Sequence, residues 1–334
     1  MGRFIGRRLL GVIPVLFGLS IVLFVFMHAL PGDPAAAILG QYATPDKVAQ
    51  LRAVLGLDRP LYEQYFLYLS QLLRGDLGHS VVNNRAVLDE FLIRFPNTVE
   101  LTVAALALAV GIGVPLGRYA ARHAGSGRDG GVTVLSVAGV SVPVFVLGLV
   151  LQVVFAVELG WLPASGQQDA RLVIPAVTHL SLVDPLLVGR LDAFIDALKH
   201  LVLPAITLAS IPLSSITRMT RAAVLDVMNE DYVRTARAKG LREARVESRH
   251  IMRNAWLPVI TVIGWQVGTL LGGAVITETV FAWNGVGRWA VQAIQDHDYT
   301  VVESTVLLFS FIFILVNLIV DVGYAFLNPR IRYS

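Results

Sequence analysis

An all-α polytopic membrane protein with about six transmembrane helices is the fold class that three features of the sequence predict. The 334 residues are 55% hydrophobic and only 15% charged, where a soluble chain of this length carries about a quarter charged residues. The apolar residues gather into six runs, at about 9–30, 97–117, 132–158, 201–217, 257–280 and 302–327, each near the length an α-helix needs to cross a bilayer. Lysine and arginine are distributed unevenly between the segments that join these runs. Six crossings put both termini on one side, and that side holds seventeen Lys and Arg against ten on the other. Both termini are therefore expected in the cytoplasm.

The remaining composition agrees with this class. Mean hydropathy is +0.66. A net charge of +3 would suggest nucleic acid in a soluble chain; here the inside bias of basic residues accounts for it, and no nucleic-acid partner is expected. The chain has no cysteine, so it has no disulfide framework, thiolate metal site or cysteine nucleophile.

Residues 1–30 read as a cytoplasmic N-terminus and a first transmembrane helix, with Arg3, Arg7 and Arg8 before the apolar run. A signal peptide has a similar start, but its core is shorter and no further spans would follow. The Arg7-Arg8 pair only weakly matches a twin-arginine signal. Residues 31–96 are an expected external segment with short helices. Thr44 is placed as an N-cap, Pro45 as the first helical residue and Gly56 as the stop. Leu61, Tyr65, Leu69 and Leu72 then share one helical face, with Gly75 after them. This segment fits a cap packed on the bundle, a docking surface for an external protein, or both.

Residues 97–334 read as the core domain with the other five spans, an external loop at 159–200 and a cytoplasmic loop at 218–256. Gly111, Gly113, Pro115 and Gly117 crowd the second span, and Pro143 with Gly148 interrupts the third. Gly264, Gly268 and Gly272 recur every fourth residue in the fifth, a pattern that lets helices approach closely. Such glycines serve packing by default, and a moving gate would use them too.

Ionisable residues inside a span are costly and suggest function. Glu100, Glu158 and Glu303 sit at expected span edges, Glu278 near the end of the fifth span, and Asp321 where a cytoplasmic arginine could pair with it. No acidic or histidine relay lies near the bilayer centre, which argues against ion coupling. Gln266, Thr269 and Glu278 are candidate path residues on their polarity alone, and Asp184, Asp192 and Asp196 could receive a peptide amine. The chain contains no G-x-x-x-x-G-K-[ST] loop, G-x-S-x-G elbow or H-E-x-x-H helix. No catalytic, cofactor-binding or metal-binding residue is therefore assigned.

The longest strongly charged stretch is 231–258, DYVRTARAKGLREARVESRHIMRNAWLP. Val224, Leu225, Met228 and Tyr232 recur at helical steps, Gly240 is placed as a stop, and 242–254 forms a second helical segment leading to Pro258. The small Ala236 and Ala238 permit close docking. By composition alone the segment reads slightly better as a solvated basic loop anchoring two spans.

Its core, E-D-Y-V-R-T-A-R-A-K-G-L at 230–241, resembles the cytoplasmic EAA-type loop of binding-protein-dependent ABC importer permeases of the dipeptide/oligopeptide class. The resemblance runs through H-A-L-P-G-D-P at 28–34, L-G-L-D-R-P-L at 55–61 and G-D-L-G-H-S at 75–80. It continues in L-P-A-S-G at 162–166, T-E-T-V-F at 277–281, G-V-G-R-W at 285–289 and N-P-R-I-R at 328–332. Arg234 and Thr235 stand where the general EAA pattern has an acidic residue and its neighbour, and the spacing from Gly240 to Pro258 is longer, as in the peptide branch.

The resemblance implies a type I ABC importer permease fold in a bacterial inner membrane and the first of two permease subunits. It further implies a homologous second permease, two cytoplasmic ATPase subunits that hold ATP and magnesium, and an external substrate-binding protein. No cofactor would bind this chain itself. The loop Tyr232, Arg234, Thr235, Ala236, Ala238, Lys239, Gly240 and Leu241 would couple to the ATPases. An ion-coupled secondary transporter and a non-transporting scaffold or receptor subunit are the alternatives. Substrates of such systems include dipeptides, longer peptides, haem and nickel ligands.

Overall fold

The computed structural model describes residues 2–29, 34–39 and 42–327. In chain order the helices are α1 (Gly2–Ala29), α2 (Pro34–Leu39), α3 (Pro45–Leu55), α4 (Leu61–Leu73), α5 (Val87–Arg122), α6 (Gly127–Ser141) and α7 (Val144–Leu151). After α7 comes a π-helical segment, Gln152–Glu158, followed by α8 (Val183–Leu187), α9 (Leu191–Met228), α10 (Asp231–Ala238) and α11 (Glu243–Val246). A second π segment, Glu247–Ile251, leads into α12 (Met252–Val280), and α13 (Val286–Gln295) and α14 (Tyr299–Leu327) complete the set. Residues 1–95 with 289–318 form one compact unit, and residues 96–288 with 319–334 form another.

In the first unit, α3 forms where its end signals place it. Thr44 is extended, Pro45 supplies a preset φ at the first turn, and Gly56 closes the helix at φ +70. The Gly56 N–H bonds Ala53 O and the Leu57 N–H bonds Arg52 O, the paired closure that a left-handed glycine allows. The Thr44 side chain makes no capping bond. Helix α4 packs on α1 through Tyr65, whose ring meets Phe17 and Phe24 edge-on and whose hydroxyl lies 2.9 Å from Ser20 Oγ. Leu61, expected on that face, is exposed; the packed face starts at Tyr65.

Residues 289–318 also enter this unit, where the sequence suggests a boundary near residue 96 alone. The cause is the 75–80 turn. Ser80 Oγ donates to the buried Asp298 carboxylate, Ser304 Oγ donates to Leu77 O at 2.8 Å, and Gly78 lies where a Cβ would stand 2.8 Å from Thr300 Cγ2.

Among the described residues, four helical segments are long and apolar enough to cross a membrane: 87–122, 191–228, 243–280 and 299–320. A fifth would be the pair α6 and α7 with its π segment, bent by 101°. Val142, with ψ 125, leaves the helical region there, because the ring of Pro143 disfavours helical backbone in the residue before it and offers no N–H to continue the ladder. The expected first span corresponds to α1, whose apolar stretch Leu10–Phe26 is shorter. Three expected spans extend well beyond their apolar runs, since α5 starts at Val87, α9 at Leu191 and the α11–α12 helix at Glu243. The expected loop 159–200 therefore ends as the first turns of α9.

Helix α9 organises the second unit, packing against α6, α7, α8 and α12. It also meets α5 at glycines. A Cβ on Gly113 would stand 3.1 Å from Leu213 O, and one on Gly117 would collide with Thr217 O, so these glycines bring two backbones together. Leu101, Ile216, Val259 and Trp283 are fully buried in the core around them, among alanines such as Ala105, Ala109 and Ala274.

Candidate functional site

The charged stretch after α9 folds as a helix–glycine–helix. Asp231 opens α10, where an acid favours the helix N-terminus. Val233 and Ala236, three residues apart, are buried against the core. Tyr232, Arg234, Thr235, Ala238, Lys239 and Gly240 are exposed, and Leu241 is half-buried against the core. The helix thus has one seated face and one free face. Gly240 stands at φ +74 with nothing within 4 Å of where a Cβ would be, so the position needs glycine for its backbone angle rather than for room. Its N–H closes the turn on Arg237 O at 2.9 Å. Asn254 Nδ2 donates to Tyr232 Oη at 2.7 Å, and Thr235 Oγ1 to Asp231 O at 2.9 Å.

Charge pairs bridge the turn of this element and join it and α9 to neighbouring helices. Arg237 donates to the Glu243 carboxylate at 2.8 and 3.2 Å, and that bond raises the arginine above its ordinary pKa. Glu247 is buried and pairs with Arg118 and Arg122 at the end of α5. Arg221 of α9 binds Asp129 through two bonds, 2.6 and 2.7 Å. Reading the residues alone missed Glu247. Its signal was register: Glu247, Ile251 and Ala255 step by four along a buried face, where an acid requires a cation. The expected helix at 242–254 does not stop there but runs on as one helix into α12. The side chain of Asp321 and the motif at 328–332 lie outside the described residues.

The remaining candidate residues take other places. Gly264 and Gly268 are buried on α12, whereas Gly272 is exposed with nothing within 4 Å of a Cβ position. Gln266 is buried, and its Oε1 accepts from the exposed Thr269 hydroxyl at 2.8 Å. Glu278, read from sequence as a path candidate, is fully buried within this chain. Its carboxylate accepts from Thr98 Oγ1 at 2.6 Å and from the Arg288 N–H at 2.9 Å. Gly285 lies so close that a Cβ there would collide with that carboxylate. The T-E-T-V-F and G-V-G-R segments thus meet around one buried acid.

The loop acids are also engaged. Asp184 accepts from the Thr178 hydroxyl at 2.6 Å and from the N–H groups of Val177, Thr178 and His179. Burial raises its pKa, but these four donors outweigh burial and hold it below the ordinary carboxylate value. Asp192 pairs with Arg190, and Asp196 accepts from the Asp169 N–H at 2.7 Å. Each of the three thus has a partner within the chain.

Residues 113–333 match the model of the binding-protein-dependent transport system inner membrane component, and residues 1–102 match the N-terminal model of such membrane components. The chain is 48% identical to a di/tripeptide transport system permease protein of Pseudomonas aeruginosa (strain UCBPP-PA14), and 45% identical to a dipeptide transport system permease protein of Escherichia coli (strain K12). It is 42% identical to a glutathione transport system permease protein of Escherichia coli (strain K12). Each comparison covers 100% of both chains. With its spanning helices and two matched regions, this chain belongs to the family of binding-protein-dependent transport system inner membrane components, the multi-pass permeases of ABC importers.

Proposed function

We propose that this chain is one of two permease subunits of an ATP-driven, binding-protein-dependent importer of dipeptides or short peptides. The observation that carries this reading is full-length identity of 42–48% to permeases named for di/tripeptide, dipeptide and glutathione transport. All three names describe substrates of two or three residues, which supports short peptides over haem or nickel ligands as the substrate class.

In this reading six crossings, with α1 as the first, place both termini and α10 in the cytoplasm. The free face of α10, from Tyr232 to Lys239, then seats on one of two ATPase subunits, which hold ATP and magnesium; this chain holds neither. A second permease completes the path, and an external binding protein delivers the peptide. ATP-driven closure of the ATPases moves the permeases between inward-open and outward-open states, which requires that the partners bind the two states with different affinity.

The test uses the absence of cysteine from this chain. A cysteine replacing Ala238, exposed on α10, is crosslinked to co-expressed ATPase subunits with and without ATP and the loaded binding protein. A crosslink whose yield changes with nucleotide is expected. Its absence in an inserted protein returns the segment to a basic anchor and reopens the secondary-transporter alternative.

A further inference from the structure

Two ion pairs lie back to back between α10 and α5. Glu243 and Glu247 are one helical turn apart, the first in α11 and the second opening the π segment that follows. Glu243 faces α10, where Arg237 binds it through both carboxylate oxygens. Glu247 faces α5, where Arg118 and Arg122 bind it from successive turns. We propose that Glu243 and Glu247 are positioning residues for coupling, a two-step ionic link that carries displacement of α10 to the spanning helix α5. This rests on the assignment of α10 to the ATPase interface made above.

The two steps differ in strength for a physical reason. Arg237 and Glu243 are 36% and 62% exposed, so water and salt screen their attraction. Glu247 is 4% exposed, and a carboxylate at that depth is costly without its cations. The inner step therefore holds α5 and the π segment together, while the outer step can open and re-form. An apolar residue at 247 would continue the buried row of Val246, Ile251 and Ala255 without any desolvation cost. The acid adds directional attachment to two particular residues of α5, which apolar packing alone does not supply.

The experiment uses the complete importer in proteoliposomes, with its second permease, both ATPases and the binding protein. It measures basal ATP hydrolysis, hydrolysis stimulated by peptide-loaded binding protein, and peptide taken up per ATP. The Glu247→Gln importer is expected to assemble, keep basal hydrolysis and keep the crosslink at position 238, while uptake per ATP falls about tenfold, within the usual range of coupling energies. Glu243→Gln is expected to lower it about threefold, as for an exposed ion pair, and about 0.5 M salt to reproduce that smaller loss in the wild type. Exchanging the charges, Glu243→Arg with Arg237→Glu, is expected to restore uptake per ATP.

A variant without the inner charges, Glu247→Leu with Arg118→Leu and Arg122→Leu, keeps packing if Glu247 is inessential to the fold. Should this variant transport with normal uptake per ATP, the link is packing only and the proposal is overturned. Unchanged uptake per ATP in Glu247→Gln overturns it as well. Failure of the position-238 crosslink in the otherwise wild-type importer overturns the assignment of α10 itself, a result distinct from a failed link with the crosslink intact.

Discussion

Gly240 and Gly285 both sit in turns near a carboxylate, and the two turns are built in opposite ways. At Gly240 the surroundings are open and the backbone angle is unusual; at Gly285 the surroundings leave no room for a Cβ beside Glu278. The acid near Gly240, Glu243, is exposed and bound by a single arginine. The acid against Gly285, Glu278, is fully buried and bound by neutral donors, the Thr98 hydroxyl and the Arg288 N–H. At Gly285 the neighbours exclude a side chain, whereas at Gly240 only the backbone angle does. A residue type repeated in one chain thus answers to space in one place and to conformation in the other. The interior turn suits a fixed joint, and the surface turn leaves the α10 face beside it open.

That contrast can be broken in graded steps. The largest effect is expected from Glu278→Ala, which strands the Thr98 hydroxyl and the Arg288 N–H in the interior and leaves a void. A loss of about 3 kcal/mol or more is expected, seen as a lower melting temperature of the detergent-purified protein and a lower level in membranes. Gly285→Ala comes next, at about 1–3 kcal/mol for crowding, read by the same melting curve. Wild-type stability in this variant would mean that the interior turn yields, and the contrast would be lost. Gly240→Ala is expected to cost only about 1 kcal/mol, the strain of a Cβ at positive φ, because no neighbour is displaced. Its larger consequence is expected in the yield of the crosslink at position 238, which reports how α10 is presented.

How far the sequence disclosed these features depends on whether their causes are local. The limits of α3 were legible because Pro45 and Gly56 act on their own backbone. So was the stop at Gly240, for the same reason. The early starts of α5 and α9 were not, because apolar runs mark only the part of a helix that is apolar on every face. In α9, Ala193, Ala197 and Leu201 form a buried stripe while Asp192 and Lys199 face outward, and so amphipathic a turn reads as loop. The break at Pro143 was visible as an interruption, but its size, 101°, depends on what α6 and α7 pack against. The role of Glu278 was hidden for another reason. Sequence shows an acid near a span end and a G-V-G further on, and only folding shows that the second wraps the first.

Two helical stretches, 191–228 and 243–280, lead into and out of α10, and each has 38 residues. At about 1.5 Å per residue each is about 57 Å long, nearly twice the ~30 Å hydrocarbon thickness of a bilayer. Each stretch must therefore reach well past the lipid at one end or both. Over such a length, a tilt of about 5° displaces the far end by about 5 Å, a full helical turn's rise. Modest rocking at α10 is then sufficient to shift the opposite ends of both stretches by about the width of a side chain.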